Sequence, residues 1–246
     1  MDLQSPSPTG LDILLKKAFG YWSKTLFYQL IFSVTYFSVF FIVWFGVAQR
    51  YGLLDDFMAI FGRQGASIAE VQAEFQKIVK MPEYYNLSLA TVFVMSFLFP
   101  LNMGFFQIYR KIDLNEKFGF DDLFSGYNGL NFFKFSSYFL FWIFVYQYTM
   151  ITVVLGVAWV FVTMFVAPLM FFMNQRIFEA ISLNFKALKL YPLEIAVCVL
   201  VAILFRYSGM LIFFFGILFT FPFWNAMIYT LYSKIFAEKE PEKSKG

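Results

Sequence analysis

SSYFLFWIFVYQYTMITVVLGVAWVFVTMFVAPLMFFM, residues 136–173, is the stretch on which the fold turns: 38 residues without one Asp, Glu, Lys or Arg. As a helix it would run about 57 Å, and a bilayer's hydrocarbon core is about 30 Å thick. It is too long for one ordinary span and long enough for two joined by a tight turn, which we place near Gly156. Working outward, residues 25–47 and 87–109 are apolar runs of 23 residues each. A shorter run covers 190–205, a break falls at 206–209, and a last run covers 210–232. The count is six. The first run is too long for a signal-peptide core and lacks a small-residue cleavage site, so it reads as a retained span.

The charges left between these runs orient them. With six spans, fourteen of the 19 basic residues fall on the side of both termini and five on the other. A single span at 136–173 would split them 8 to 11. Cytoplasmic loops carry the excess of Lys and Arg, so the six-span reading places both termini in the cytoplasm. Composition agrees, at 60% apolar and 14% charged residues, where soluble domains are about 25% charged. The abundance of Phe and the excess of Lys over Arg are read as marks of an AT-rich bacterial genome.

Whole classes of chemistry fall away. There is no histidine, and the one cysteine, Cys198, lies inside an apolar run. Imidazole-ligated haem, His-containing metal sites, a Ser-His-Asp triad and an intrachain disulfide are excluded. Cys198 reads as a small packing residue. No acid sits at a span midpoint: Glu194 follows Pro192 in a first helical turn and reads as a helix-dipole partner, and Arg206 lies at an outer end where it can snorkel.

Each inward-running span carries one proline, Pro100, Pro168 or Pro222, and ends in basic residues. Proline removes a backbone donor and bends a helix, so these three are the expected kink sites. Residues 102–112 also align without gaps to 225–235, sharing Asn102 with Asn225 and Tyr109 with Tyr232. Each outward span follows an amphipathic stretch. Leu11, Leu14, Leu15, Ala18, Phe19 and Trp22 form one apolar stripe. Ile177, Phe178, Ile181, Phe185 and Leu188 form another, opposite Gln175, Glu179, Ser182, Lys186 and Lys189. Residues 121–135, with Asp121 or Asp122 as a cap, do the same less regularly. Two readings stand: three repeated units of interfacial helix plus two-span hairpin, or interfacial helices and prolines arising independently.

Phe105-Phe-Gln-Ile-Tyr-Arg, Asp122-Leu-Phe-Ser-Gly126-Tyr, Pro168, Phe178-Glu-Ala-Ile-Ser-Leu-Asn-Phe-Lys, Pro222 and Tyr229, taken in order, carry a resemblance over residues 90–235. The chain resembles a family of six-span bacterial inner-membrane proteins without an assigned activity, itself similar to the membrane domain fused to some glycerophosphoryl diester phosphodiesterases. It departs from that pattern in lacking a Pro-Gly step near the fourth span and in its longer first outside loop. The resemblance implies fold and location, and brings no catalytic residues.

The expectation is therefore an all-α polytopic membrane bundle of about six spans with cytoplasmic interfacial helices. Residues 1–24 form an interfacial helix, 25–236 the membrane domain with an outside loop at 48–86, and 237–246 a disordered charged tail. In the loop, Ser67-Ile-Ala-Glu70 reads as a capping box ahead of Val71, Phe75, Ile78 and Val79. The buried neutral polar residues are Gln29, Asn102, Gln107, Gln147 and Asn225, and such amides commonly tie helices together. If a membrane-embedded site exists, it is Asn102 with Asn225, beside Pro100 and Pro222. No catalytic, metal or cofactor residue is assigned. The expected partners are membrane lipids and other inner-membrane or envelope proteins, with no nucleic acid. The function classes weighed are a non-enzymatic accessory or scaffold subunit, a transporter or lipid-moving protein with a cavity between hairpins, and an intramembrane enzyme, the last disfavoured by the lack of acid-base groups.

Overall fold

The computed structural model describes residues 10–63, 65, 67–211 and 215–237, and among these residues every regular element is helical. In chain order the α-helices are α1 (Leu11–Lys24), α2 (Leu26–Arg50), α3 (Leu53–Phe61), α4 (Ile68–Val79), α5 (Pro82–Leu98), α6 (Leu101–Asp113) and α7 (Phe120–Leu123). There follow α8 (Asn131–Thr149), α9 (Val153–Thr163), α10 (Val166–Phe172), α11 (Ile177–Leu190), α12 (Pro192–Ser208), α13 (Ile217–Thr220) and α14 (Phe223–Tyr232). Four helical stretches are long and apolar enough to cross a membrane: Leu26–Arg50, Pro82–Asp113, Val153–Phe172 and Pro192–Leu211. Large apolar side chains stand on their surfaces, among them Phe41, Ile42 and Phe45 of α2 and Leu200, Ile203 and Leu204 of α12. Such residues match hydrocarbon as solvent.

The third expected span corresponds to α8, 19 residues or about 28 Å of helix, less apolar than the four because of Lys134, Gln147 and its tyrosines. The sixth is in pieces, α13 and α14, with 212–214 outside the described residues. The turn expected near Gly156 lies earlier: α8 ends at Thr149, residues 150–152 turn, and Thr152 precedes α9 in extended conformation. Gly156 sits inside α9, where a Cβ would strike the Met150 side chain. The glycine packs against the Met150 side chain and does not make the turn. No break falls at 206–209: α12 runs through Ser208 and continues as a 3-10 turn, Gly209–Leu211. The expected tail is described only at Ala237, the end of a π-helical turn, Ser233–Ala237; its remainder lies outside the described residues.

The chain divides into two compact units, one from Met1–Val34 with Phe99–Gly246, the other Thr35–Leu98. In the second unit, Ala48, Leu53, Phe57, Ile60, Ile78 and Leu87 form a buried cluster with Trp44, Val71 and Tyr84 packed on it. The capping box is as expected: Ser67 Oγ accepts from the Glu70 N–H at 3.3 Å and Glu70 Oε2 accepts from the Ser67 N–H at 2.8 Å. The Glu70 carboxylate is held below its usual pKa, first by that backbone bond. Helix α3 escaped the sequence reading. It starts after Gly52, whose φ of +73° is the left-handed region that favours glycine.

In the first unit, α1 buries Leu14 and Ala18 of the expected stripe together with Tyr21, which the stripe left out, and packs along α14. The 121–135 stretch is not one helix but α7, a 3-10 turn (Ser125–Tyr127) and the first turn of α8. Asp122 does act at a helix start, accepting from the Gly119 N–H at 2.9 Å and pairing with Lys111 at 2.7 Å. The segment lies backbone-to-backbone on α6: a Cβ on Gly104 would strike the Leu123 carbonyl, and one on Gly126 the Pro100 carbonyl.

Candidate functional site

Each of the three expected kink sites is an interruption. Helix stops at Leu98 and restarts at Leu101 around Pro100, stops at Thr163 and restarts at Val166 ahead of Pro168, and stops at Thr220 and restarts at Phe223 around Pro222. An interrupted helix strands carbonyls, which in a membrane must find a donor inside the protein. At each break a phenylalanine carbonyl accepts from a side-chain N–H. Asn102 Nδ2 donates to the Phe99 carbonyl at 2.8 Å, Asn184 Nδ2 to that of Phe161 at 2.8 Å, and Trp22 Nε1 to that of Phe219 at 2.8 Å. Asn184 does more, since its Oδ1 also accepts from the Phe165 N–H at 2.8 Å. Phe161 and Phe165 are the pair a continuous helix would join directly, and the buried amide is inserted between them.

The expected site residues meet. Asn225 Nδ2 donates to Asn102 Oδ1 at 2.9 Å, so a donor on α14 is closed by an acceptor on α6, whose own N–H group closes the Phe99 carbonyl. Asn225 is buried and Asn102 half-buried. Around them Leu101, Met103, Phe105, Phe223, Ala226 and Met227 are at most 1% exposed.

Toward the C-terminal end of α6 lies a second polar layer, assembled from residues four apart on each helix. Lys17, Tyr21, Thr25 and Gln29 line α1 and the start of α2, Tyr109 and Asp113 line α6, and Tyr229 is followed by Ser233 beyond α14. The Asp113 carboxylate accepts from the Tyr21 hydroxyl at 2.5 Å and the Tyr229 hydroxyl at 3.2 Å, and pairs with Lys17 at 3.5 Å. Lys17 also donates to Ser233 Oγ at 3.3 Å. The three tyrosine rings stand 5.1 to 5.6 Å apart. Burial and, next, the Asp113 carboxylate hold the Tyr21 phenol well above its ordinary pKa, so it stays a proton donor to Asp113. Deeper, fully buried Gln29 donates to Thr25 Oγ1 at 2.9 Å and to the Tyr109 hydroxyl at 3.1 Å.

Of the other expected polar residues, Gln107 is half-buried, and Gln147 is exposed, which corrects its reading as buried. The sequence reading missed Asn184, Asp113 and the three tyrosines. The four-residue spacing from Lys17 to Gln29 was the available signal for the tyrosine layer. Asn184 gave none, because it sits in a helix whose apolar face was read as the Phe178 side. That face is not the one that packs inward: Ala180, Leu183, Asn184 and Ala187 are buried, while Phe178 is 75% exposed. Cys198 is a buried free thiol. Among the described residues no cluster of three or more Cys, Asp or Glu has metal-site geometry.

Amides, phenols and one carboxylate turned on one another and on broken backbone can hold helices in register. Among the described residues the protein is all-helical, with four stretches long and apolar enough to cross a membrane and polar side chains tying helices together. No family model, curated protein or solved structure matches the chain.

Proposed function

We propose that the chain is a non-enzymatic, six-span protein of the bacterial inner membrane with both termini cytoplasmic, acting as an accessory or scaffold subunit of an envelope membrane complex. The observation that carries this reading is that the two amides beside the proline breaks are turned on each other and on the backbone: Asn225 donates to Asn102, and Asn102 to the Phe99 carbonyl. A transport site needs such groups turned toward a ligand path. The 14 to 5 division of basic residues supports the orientation, and α8 is long enough to be an additional span. On this reading α1 and α11 are the cytoplasmic interfacial helices, and the family resemblance over residues 90–235 is one of descent.

The three-unit design is part of the proposal, and a ring of contacts supports it. Each unit's leading segment lies on the proline break of the unit before. Gly126 meets the Pro100 carbonyl, Asn184 bridges the break ahead of Pro168, and Trp22 of the first unit closes on Phe219 of the last.

The test has two arms. Purified from native membranes in mild detergent, the protein should keep a stoichiometric integral-membrane partner through a second sizing column. Reconstituted alone, it should neither move solutes nor scramble labelled lipid. Transport or scrambling by the lone protein, abolished by Asn102→Leu, would establish the lipid-moving reading instead. Cytoplasm-only fluorescent reporters should light at Gly246 and stay dark near Gly65.

A further inference from the structure

Helix α11 joins two stretches fit to cross a membrane, Val153–Phe172 and Pro192–Leu211, and on the membrane reading proposed above it lies at one membrane face. Its rotation about its own axis is set by the protein. Ala180, Leu183, Asn184 and Ala187 face inward, and the two Asn184 bonds to the α9–α10 break lock that face in place. Helical geometry then orders the rest of the surface. Half-buried Ile177, Leu188 and Ile181 come next to the buried face, and Phe185 and Phe178 follow on the side away from it, 47% and 75% exposed. Lys189, Ser182 and Lys186 follow, all exposed. The Lys189 ammonium lies 4.7 Å from the Phe185 ring centre, a cation–π contact that carries the lysine stem along the aromatic edge. Glu179 is on the polar side, and its carboxylate accepts from the Arg176 N–H at 3.1 Å, directing its charge to the helix N-terminus. The outward side thus presents two exposed rings beside two exposed ammonium groups.

We propose that this edge, Phe178 and Phe185 rimmed by Lys186 and Lys189, is a docking surface for anionic lipid headgroups. The charge pattern selects the occupant: two unpaired lysines beside exposed rings complement a phosphate surface backed by hydrocarbon, and soluble acidic partners would leave the rings in water. The inference rests on the membrane reading proposed above.

The full chain, carrying Cys198→Ala and Ser182→Cys labelled with an environment-sensitive fluorophore, is placed in nanodiscs of phosphatidylcholine with increasing phosphatidylglycerol. The expected result is a saturable loss of access to aqueous iodide as phosphatidylglycerol rises. Each of Lys186→Gln and Lys189→Gln should raise the half-saturating lipid fraction about fivefold, the factor matching about 1 kcal/mol per headgroup-level lysine, and Lys80→Gln should not change it. Access unchanged by phosphatidylglycerol, or a response that inorganic phosphate in solution reproduces, would overturn the proposal. A second label at Val154→Cys, exposed on α9, separates the two claims. It should be shielded in every nanodisc, and an exposed label there would sink the membrane reading itself.

Discussion

Trp22 Nε1 donates to the carbonyl oxygen of Phe219 at 2.8 Å, across 197 residues of sequence. The bond joins the first described helix to the last proline break. Its rings also pack there, Trp22 to Phe205 at 5.0 Å and Phe19 to Phe223 at 4.8 Å. Trp22→Phe keeps an aromatic ring and removes the donor, so it should cost about 1–3 kcal/mol, the penalty of a stranded buried carbonyl. Thermal unfolding in micelles measures it, and an unchanged midpoint would mean that the carbonyl is solvated.

Asn184 supplies both halves of the hydrogen bond that Phe161 and Phe165 do not make with each other. Asn184→Leu should therefore cost more than Trp22→Phe, because it strands a donor and an acceptor together. Asn184→Asp keeps the acceptor alone and should fall between wild type and Leu. Amide hydrogen exchange at Phe165 reports the site directly, with faster exchange expected in Asn184→Leu and near-native exchange in Asn184→Asp.

The Asn225–Asn102 bond is testable by a double-mutant cycle with leucine at both positions. Interhelical bonds in membranes average about 0.6 kcal/mol of coupling and reach about 1.7. The coupling here should lie in that range, because each partner is held in place by its own helix break. Strict additivity of the two single changes would show that the pair contributes nothing.

Gly126→Ala places a methyl group on the Pro100 carbonyl, and Gly104→Ala places one on the Leu123 carbonyl. Backbone cannot rotate away as a side chain can, so each should cost about 1–3 kcal/mol as an overpacking strain. Gly20→Ala, with open space around its Cβ position, is the control and should be neutral or mildly stabilising, since alanine is the better helix former.

The α4 capping box carries a pH signature. The folded pKa of Glu70 is depressed below its ordinary value of 4.5, so the contribution is fully present above about that pH and is lost as pH falls through the lowered folded value. Exchange protection of the Val71 amide, corrected for intrinsic rates, should hold steady from neutral pH down to that point and then decline. Glu70→Gln should flatten the profile.

Chain composition and apolar run length by themselves determined that this protein is helical with stretches long and apolar enough to cross a membrane, because a bilayer leaves an unbroken apolar run few other backbone solutions. The three prolines marked the three breaks for the same local reason: a missing N–H interrupts any helix, whatever surrounds it. Asn102 and Asn225 were legible as a pair because an amide beside a kink is costly unless partnered. What only the tertiary structure decided was the partner of each broken carbonyl and the inward face of each amphipathic helix. Trp22 and Asn184 serve breaks that lie far from them or on another helix, and nothing local marks a donor for a carbonyl 197 residues away. The turn before α9 fell at residues 150–152 and not at Gly156, and the inward face of α11 went to the small residues Ala180 and Ala187 where the sequence pattern favoured the bulky Phe178 side. In lipid, large apolar side chains gain little by turning inward, and close approach of backbones does the packing, so size and hydrophobicity stop indicating which way a helix faces.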